Sequence, residues 1–297
     1  MSTSAAVRET MTPSERLVYD LVSDSEALVS PPDVCLRVNQ LAADEASSID
    51  AVAAVIVRDP NLTARMLKIA NSAYYGAVSR VDTVARAATL LGMAEIQKLV
   101  CTLCAVENFS RLSSTVTNMN TFWRHAVYTG FLAQALARRA HVLQPERLFV
   151  AGILHDLGTL LINRRFPEVA ERTISDALGD EDRLYALEGQ ELGFDHAQLG
   201  GLMLAGWHLP PALVDTVRWH HQPHRARQAP LDAAIVKVAD TIANYSTTGS
   251  HSEQAAEEDT CDARLLQRFG VNIACSNDEL MDEVDHEFVE TLYLLLG

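Results

Sequence analysis

The stretch Phe149-Val-Ala-Gly-Ile-Leu-His-Asp-Leu-Gly-Thr-Leu-Leu161 decides how this chain is interpreted. It is apolar apart from Thr159 and the adjacent pair His155 and Asp156. Burying two ionisable side chains in such a run is costly unless they are paired or bind a cation. Imidazole and carboxylate groups together suit a divalent transition metal. The stretch therefore predicts a buried segment that carries part of an ion site.

Other histidines and aspartates are the natural partners of this pair. Adjacent residues on a helix point about 100° apart, so His155 and Asp156 share an ion only if other helices supply ligands. His125 lies in a preceding long helical segment, and Asp240 lies in the largely apolar residues 235–242. The full candidate set is His125, His155, Asp156, His196, His220, His221 and Asp240.

This set predicts one or two positions for a divalent transition metal, with Fe, Mn, Zn and Ni as the candidates. The ligands of the first position would be His125, His155, Asp156 and Asp240. The ligands of the second would be Asp156, His196, His220 and His221, with Asp156 bridging. Two ions about 3.5–4 Å apart that share a carboxylate recur in hydrolytic enzymes. The alternative is a metal-free, hydrogen-bonded cluster, and we assign no residue a catalytic role.

Composition places the chain among globular proteins with a sizeable core. Of its 297 residues, 48% are hydrophobic and 21% are charged, which is ordinary for that class. The formal charge is −15, and residues 251–297 hold twelve acids against two bases. This charge argues against direct nucleic-acid binding. The sequence has no signal-peptide core and no apolar stretch of about 18 residues, so we expect a cytoplasmic protein outside any membrane.

Helix signals occur almost throughout, and no segment shows a convincing strand pattern. Asp59-Pro60 combines a capping carboxylate with proline at the first helical position. Thr83 is expected to cap another helix, which ends before Gly92. We predict one continuous helix over residues 146–163, across the His155-Asp156 pair.

Several motifs, in order and at consistent spacing, make the chain resemble the HDOD family, the output-domain relatives of the HD phosphohydrolases. The resemblance covers roughly residues 24–245. Its motifs are Pro31-Pro32, the stretch from Asp59-Pro60 to Tyr74-Tyr75-Gly76, Leu90-Leu-Gly-Met93, Trp123-Arg-His125, Ala151-Gly-Ile-Leu-His-Asp-Leu-Gly158, Asp195-His196, Trp207-His-Leu-Pro210 and His220-His-Gln-Pro223. The resemblance implies an all-α, two-part helical bundle with an HD-like second part, and a role in bacterial signalling.

The resemblance also bears on the candidate ligands. All seven line up with the ligand pattern of the related HD-GYP cyclic-di-GMP phosphodiesterases, whereas most HDOD proteins have lost part of that set. This sequence departs from the HD-GYP pattern at three points. Thr159 stands where those enzymes carry a lysine, Gln222 replaces an acid, and residues 223–228 replace the Gly-Tyr-Pro loop. The departures argue against cyclic-di-GMP hydrolysis more than against metal binding.

Two main classes of function follow. The first is a regulatory module that acts through contacts with a protein partner, catalyses nothing and retains an HD-type site. The alternative is a metal-dependent phosphohydrolase or phosphodiesterase that acts on a phosphoester or a cyclic nucleotide. Its candidate phosphate contacts would be Lys237, Arg124 and Arg218. A third class is a subunit whose cluster only stabilises the fold. The lack of a basic residue within residues 155–159 favours the first.

We divide the chain into four segments. Residues 1–12 are polar and expected to be disordered. Residues 13–110 form the N-terminal helical part of the HDOD module, and residues 111–245 form its HD-like part. Residues 246–297 form an acidic linker and a C-terminal helical extension, with an inhibitory or docking segment as the alternative. The apolar positions of this extension include Leu280, Val284 and Phe288.

Overall fold

A computed structural model of the chain describes residues 18, 20–21, 33–44, 46–71, 80–109, 116–207, 209–250, 263–271 and 278–296. Every regular element within these residues is helical, which confirms the predicted all-α class. The expectations for residues 1–12, Pro31-Pro32, Tyr74-Tyr75-Gly76 and residues 251–262 of the linker lie outside the described residues.

The helices fall into an N-terminal group, a second group and a C-terminal extension. The N-terminal group is α1 Asp33–Ala43, α2 Ile49–Ile56, α3 Pro60–Ala70, α4 Val84–Leu91 and α5 Met93–Phe109. The second group is α6 Met119–Arg139, α7 Glu146–Leu154, α8 Leu157–Arg165, α9 Pro167–Ala177, α10 Glu181–Leu192, α11 His196–Gly206, α12 Pro211–Trp219, the 3-10 turn Pro223–Arg225 and α13 Pro230–Tyr245. The extension contains α14 Ala263–Gln267 and α15 Asp278–Leu296.

Local chemistry sets several of these helix ends. The Asp59 carboxylate accepts hydrogen bonds from the backbone N–H groups of Asn61 and Leu62, so it caps α3 as predicted. Gly92 adopts a φ of 83°, which favours glycine, and the chain turns by 116° between α4 and α5 there. No single helix among the described residues is long and apolar enough to cross a membrane.

Helix α6 forms the centre of the molecule. It packs against α7, α13 and α15, and its side chains from Phe122 to Ala137 are buried, except that of Arg124. Helix α5 packs on α7 and so joins the N-terminal group to the second group. One continuous hydrophobic cluster runs through both groups and includes residues of the extension. The candidate site therefore lies inside a single packed core.

The C-terminal helix α15 docks on this core. Its apolar residues Leu280, Val284 and Phe288 are buried. The hydroxyl of Tyr128 donates a hydrogen bond to Asp285 at 2.7 Å, and its ring meets that of Phe288 edge to face at 5.1 Å. Since α15 also contacts α3 and α5, it ties α6 to the N-terminal group.

Candidate metal centre

Five segments bring the candidate ligands to one buried point. His125 lies in α6, Asp240 lies in α13, and His196 begins α11. The pair His155-Asp156 lies between α7 and α8, and His220-His221 follows α12. The side chains of all seven residues are at most 6% exposed. The structure thus brings together every ligand in the candidate set, and ion binding by them stays a prediction.

The predicted continuous helix over residues 146–163 is wrong at the decisive pair. Helix α7 ends at Leu154, α8 begins at Leu157, and Asp156 adopts a φ of −101° with a ψ of 9°. On an uninterrupted helix, His155 and Asp156 would point about 100° apart. The break removes that constraint, so His155 Nε2 lies 3.0 Å from Asp156 Oδ2.

A close contact between α8 and α11 accompanies the break. A Cβ atom built on Gly158 would lie 2.0 Å from the carbonyl oxygen of His196. No side chain fits at that distance, so only glycine lets the two helices approach in this way. The approach leaves Asp156 Oδ1 at 3.4 Å from His196 Nε2.

The first group of ligand atoms comes from His125, His155 and Asp240. Asp240 Oδ1 lies 3.3 Å from His125 Nε2 and 3.7 Å from His155 Nε2. All three atoms lie within 4.8 Å of one another. Ligands that bind one ion at about 2.0–2.2 Å are about 3–4 Å apart, so this spacing suits a shared cation.

The second group of ligand atoms comes from His196, His220 and His221, whose ligand nitrogens also lie within 4.8 Å of one another. Asp156 connects the two groups through its two oxygens. Its Oδ2 faces His155, while its Oδ1 lies 3.4 Å from His196 Nε2 and 3.9 Å from His220 Nε2. This is the placement expected of a carboxylate shared by two ion positions.

The Nδ1 atom of every imidazole in the set has a partner that fixes the orientation of the ring. For three rings that partner is a backbone carbonyl: His125 Nδ1 lies 2.9 Å from Gly249 O, His155 Nδ1 lies 2.6 Å from Gly152 O, and His220 Nδ1 lies 2.8 Å from Val217 O. A carbonyl only accepts hydrogen bonds, so these Nδ1 atoms carry the proton. The Nε2 atoms are left facing the centre, which is how histidine ligands are commonly oriented.

The surroundings of two inward-facing nitrogens indicate whether the site suits a cation. His155 Nε2 and His220 Nε2 are buried without a hydrogen-bond partner among the described residues. Asp156 Oδ2, although only 3.0 Å from His155 Nε2, lies outside hydrogen-bond geometry. Leaving such an atom unsatisfied costs about 1–3 kcal/mol. A cation would satisfy both nitrogens, and the mixture of imidazole and carboxylate suits a transition metal better than Mg²⁺ or Ca²⁺.

The His196 and His221 rings meet through their Nε2 atoms at 3.0 Å. Two lone pairs cannot face each other at that distance, so a proton or a cation must lie between them. Burial by itself lowers the pKa of His196, but Glu188 outweighs it and raises the pKa to about 10. Burial and Lys237 lower the pKa of His221 to about 4. In the ion-free chain, His196 therefore carries the shared proton near neutral pH.

The pKa values of His155 and His220 are shifted in opposite directions by the charges around the centre. Burial opposes a charge on His155, yet Asp156 and Asp240 outweigh it and hold the pKa of His155 well above its usual value. Burial, followed by His221 and His155, keeps the pKa of His220 well below its usual value. Protons on His155 and His196 thus supply positive charge in the ion-free chain, and an ion would displace them.

Helix α10 supplies acids that the sequence analysis missed. Glu188 is 2% exposed, and its Oε2 accepts hydrogen bonds from His196 Nδ1 at 2.7 Å and from the His196 backbone N–H at 2.9 Å. Asp182 Oδ1 lies 3.0 Å from His221 Nδ1 and also pairs with Lys237. The ring of Tyr185 stacks on His221 at 4.6 Å. The one sequence signal for Glu188 is its spacing of one helical turn from the apolar residue Leu184, and both side chains are buried in the structure.

A cavity of about 270 Å³ in the second group of helices reaches Asp156. Glu181 and Thr159 also line it, and the described lining contains no lysine or arginine. Burial, together with Asp156 and Asp240, holds the pKa of Glu181 well above its usual value. The approach to the centre is therefore lined by both apolar and polar side chains, and none of those described is a lysine or an arginine.

The three candidate phosphate contacts each have other partners. Lys237 forms an ion pair with Asp182, and its Nζ lies 3.4 Å from Nδ1 of the candidate ligand His221. Arg124 donates a hydrogen bond to the carbonyl oxygen of Ser250 at 3.0 Å. The guanidinium of Arg218 lies over the ring of Trp219 at 5.1 Å. None of the three lines the cavity at Asp156.

Comparison by sequence yields a family match and one curated relative. A profile of the HDOD domain matches residues 28–223. An uncharacterised protein of Treponema pallidum (strain Nichols) is 24% identical over 238 residues. That alignment covers 79% of this chain and 46% of the relative, so the chain spans about half the length of the curated relative it matches.

Comparison by structure yields similar folds. An HDOD domain protein of unknown function from Geobacter sulfurreducens has a TM-score of 0.73 at 23% identity, over 94% of this chain and 97% of that chain. A provisionally assigned phosphohydrolase from Shewanella amazonensis SB2B has a TM-score of 0.70 at 25% identity, over 93% of this chain and 97% of that chain. These similarities establish a shared helical fold.

Proposed function

Since this chain belongs to the HDOD family, we propose that it is a cytoplasmic module of bacterial signal transduction that acts through contacts with a regulatory protein partner. In this proposal its HD-type site binds one or two divalent transition metals and catalyses no reaction. The ions stabilise the second group of helices in the form that the partner recognises.

The observation that carries the proposal is the electrostatic character of the cavity at Asp156. A phosphoester needs positive charge beyond the ions themselves, and the described lining offers two carboxyl groups and no basic side chain. Thr159, which stands where HD-GYP phosphodiesterases carry lysine, lines this same cavity. Beyond the ions, a substrate phosphate would therefore meet no basic side chain in the described lining.

Ion binding is supported separately by the ligand set. Three sets of three ligand atoms each lie within 4.8 Å, and the set of His155, Asp156 and His220 shares one histidine with each of the other two. Each histidine is already oriented through Nδ1, so an ion would bind without rearrangement of the rings. Residues His125, His155, Asp156 and Asp240 would hold the first ion. The second would be held by Asp156, His196, His220 and His221.

A metal-dependent phosphohydrolase or phosphodiesterase, acting on a phosphoester or a cyclic nucleotide, is the second candidate. The observation in its favour is Asp156, which faces both ligand groups as a bridging carboxylate does in two-ion hydrolases. When bound, such ions lower the pKa of a coordinated water so that hydroxide forms near neutral pH.

One experiment separates the two candidates. The protein is purified without a histidine tag, and Fe, Mn, Zn and Ni per chain are measured by mass spectrometry. The same preparation is assayed with bis(p-nitrophenyl) phosphate and with cyclic dinucleotides, beside Asp156→Asn and the surface control Asp176→Asn. We expect one or two ions per chain and no turnover, with ion loss in Asp156→Asn alone. Turnover that Asp156→Asn abolishes and Asp176→Asn leaves intact would establish the hydrolase. A wild type without ions would refute the metal site.

A further inference from the structure

We propose that Glu188 is a positioning residue for the second ion position, and that it supplies the negative charge which the ligands of that position lack. The inference rests on the proposed ion binding and concerns how the two positions differ. Helix α10 contributes no ligand, but through Glu188 it would strengthen ion binding at the second position and not at the first.

The two positions have unequal ligands. The first combines two imidazoles with Asp240 and a share of Asp156, whereas the second combines three imidazoles with a share of Asp156. A buried divalent cation needs compensating negative charge nearby. The direct ligands of the second position therefore carry less negative charge than those of the first.

The partners of the Nδ1 atoms favour the second position instead, because one of them is charged. His125, His155 and His220 each have a neutral backbone carbonyl at Nδ1. His196 has the carboxylate of Glu188 instead, at 2.7 Å and 2% exposed. A carboxylate behind an imidazole makes the ring a stronger ligand and adds charge to the site. Glu188 thus offsets the deficit of the second position.

Asp182 does not provide the same charge. It lies at Nδ1 of His221, but its side chain is 64% exposed and it also pairs with Lys237. Solvent and the lysine both reduce its effect on a buried cation. Among the described carboxylates behind the ligands, Glu188 is the buried one, and its ion pair is with the ligand itself.

Glu188 also holds the position of His196. One carboxylate oxygen accepts from both the ring Nδ1–H and the backbone N–H of His196, at the first residue of α11. These two bonds fix the start of the helix and the rotation of the ring together. Glu188→Ala would leave both donors unsatisfied, whereas Glu188→Gln keeps an acceptor oxygen and removes only the charge.

The test compares Glu188→Gln, Glu188→Ala and the control Glu191→Ala, an acid on the exposed side of α10 that pairs with Arg172. Ion-free protein is titrated with Co²⁺, and binding is followed by visible absorption and by ions per chain. Thermal unfolding of the ion-free variants monitors folding. We expect wild type and Glu191→Ala to bind two Co²⁺. In Glu188→Gln the second Co²⁺ should bind about 10–100-fold more weakly, with the first unchanged and folding retained.

Each outcome decides the point. Equal weakening of both ions in a folded Glu188→Gln, or no weakening at all, overturns the role of Glu188 but leaves ion binding intact. Binding of a single Co²⁺ by wild type overturns the second ion position and this inference, but leaves the proposed ion binding intact. Failure of wild type to bind any Co²⁺ overturns both. If Glu188→Ala does not fold, the comparison of Glu188→Gln with Glu191→Ala still gives the answer.

Discussion

At the scale of single residues, the centre depends on which nitrogen of each imidazole faces inward. Backbone carbonyls at Nδ1 of His125, His155 and His220 leave Nε2 as the ligand atom. Glu188 does the same for His196 but adds a charge, and so favours a proton on Nε2 when no ion is bound. An ion and a proton therefore compete for the same nitrogen.

This competition predicts that ion affinity rises with pH. The pKa of His196 is raised to about 10 in the ion-free chain, so near neutral pH an ion must displace its proton. Release of one proton gives about a tenfold gain in affinity per pH unit below that pKa. We expect at least this slope for Co²⁺ between about pH 6 and about pH 8, measured by competition with a chelator of known affinity.

A second proton strengthens the expectation, because Asp156 and Asp240 outweigh burial and also raise the pKa of His155. The slope should lie between one and two protons. Glu188→Gln should reduce it, since that change removes the main cause of the raised His196 pKa. An affinity that does not vary with pH would show that the ligands are already deprotonated in the free protein.

The clustering of the seven candidate ligands could be predicted from sequence, but the acids that contact them could not. His155 and Asp240 stand out because they interrupt apolar segments. Glu188 lies in α10, where Glu, Asp, Arg and Gln occur on most sides of the helix. A buried acid in such a helix looks like a solvated one, and only the packing of α10 against His196 distinguishes it.

At the scale of helices, the break between α7 and α8 and the approach of α8 to α11 build the centre. The approach depends on Gly158, which allows its own backbone to come close to the carbonyl of His196. The sequence predicted helix ends where a capping residue acts locally, as at Asp59 and Thr83. It did not predict the break, because no capping or turn signal stands at His155 and Asp156. The approach could not be predicted either, since it is a contact with a helix some 40 residues later in the chain.

Gly158→Ala should therefore be destabilising and should separate Asp156 from His196. A Cβ atom at 2.0 Å from a backbone oxygen forces a helix to shift, and overpacking of this kind costs about 1–3 kcal/mol or more. We expect a loss of about 3 kcal/mol in urea unfolding and weaker binding of Co²⁺. Gly189→Ala is the matched control, because nothing lies within 4 Å of its Cβ position. It should be neutral or stabilising by up to about 1 kcal/mol. Equal stability of the two variants would contradict the close approach.

The docked helix α15 gives a second prediction at this scale. Phe288 is 3% exposed and packs on Tyr128, whereas the next residue, Val289, is 67% exposed. Phe288→Ala should cost about 3 kcal/mol or more, while Val289→Ala should stay within about 0.5 kcal/mol. Urea unfolding followed by circular dichroism measures both. A neutral Phe288→Ala would mean that α15 contributes little to the fold.

At the scale of the whole molecule, the two groups of helices share a core. Helix α5 packs on α7, and α15 reaches α3, α5 and α6. The hydrophobic cluster passes through all of these contacts without interruption. A change in the packing of one group is therefore expected to affect the other.

This continuity predicts a single unfolding transition that moves as a whole when ions bind. Ligands that bind only the folded state stabilise it by RT ln(1 + [L]/Kd), about 2.7 kcal/mol at 100 times Kd. In differential scanning calorimetry we expect one peak with Co²⁺ and one peak at lower temperature with a chelator. Two peaks of which only one shifts would show that the ion stabilises α6–α13 independently of α1–α5. In that case the shared core would not transmit the state of the centre to the N-terminal group of helices.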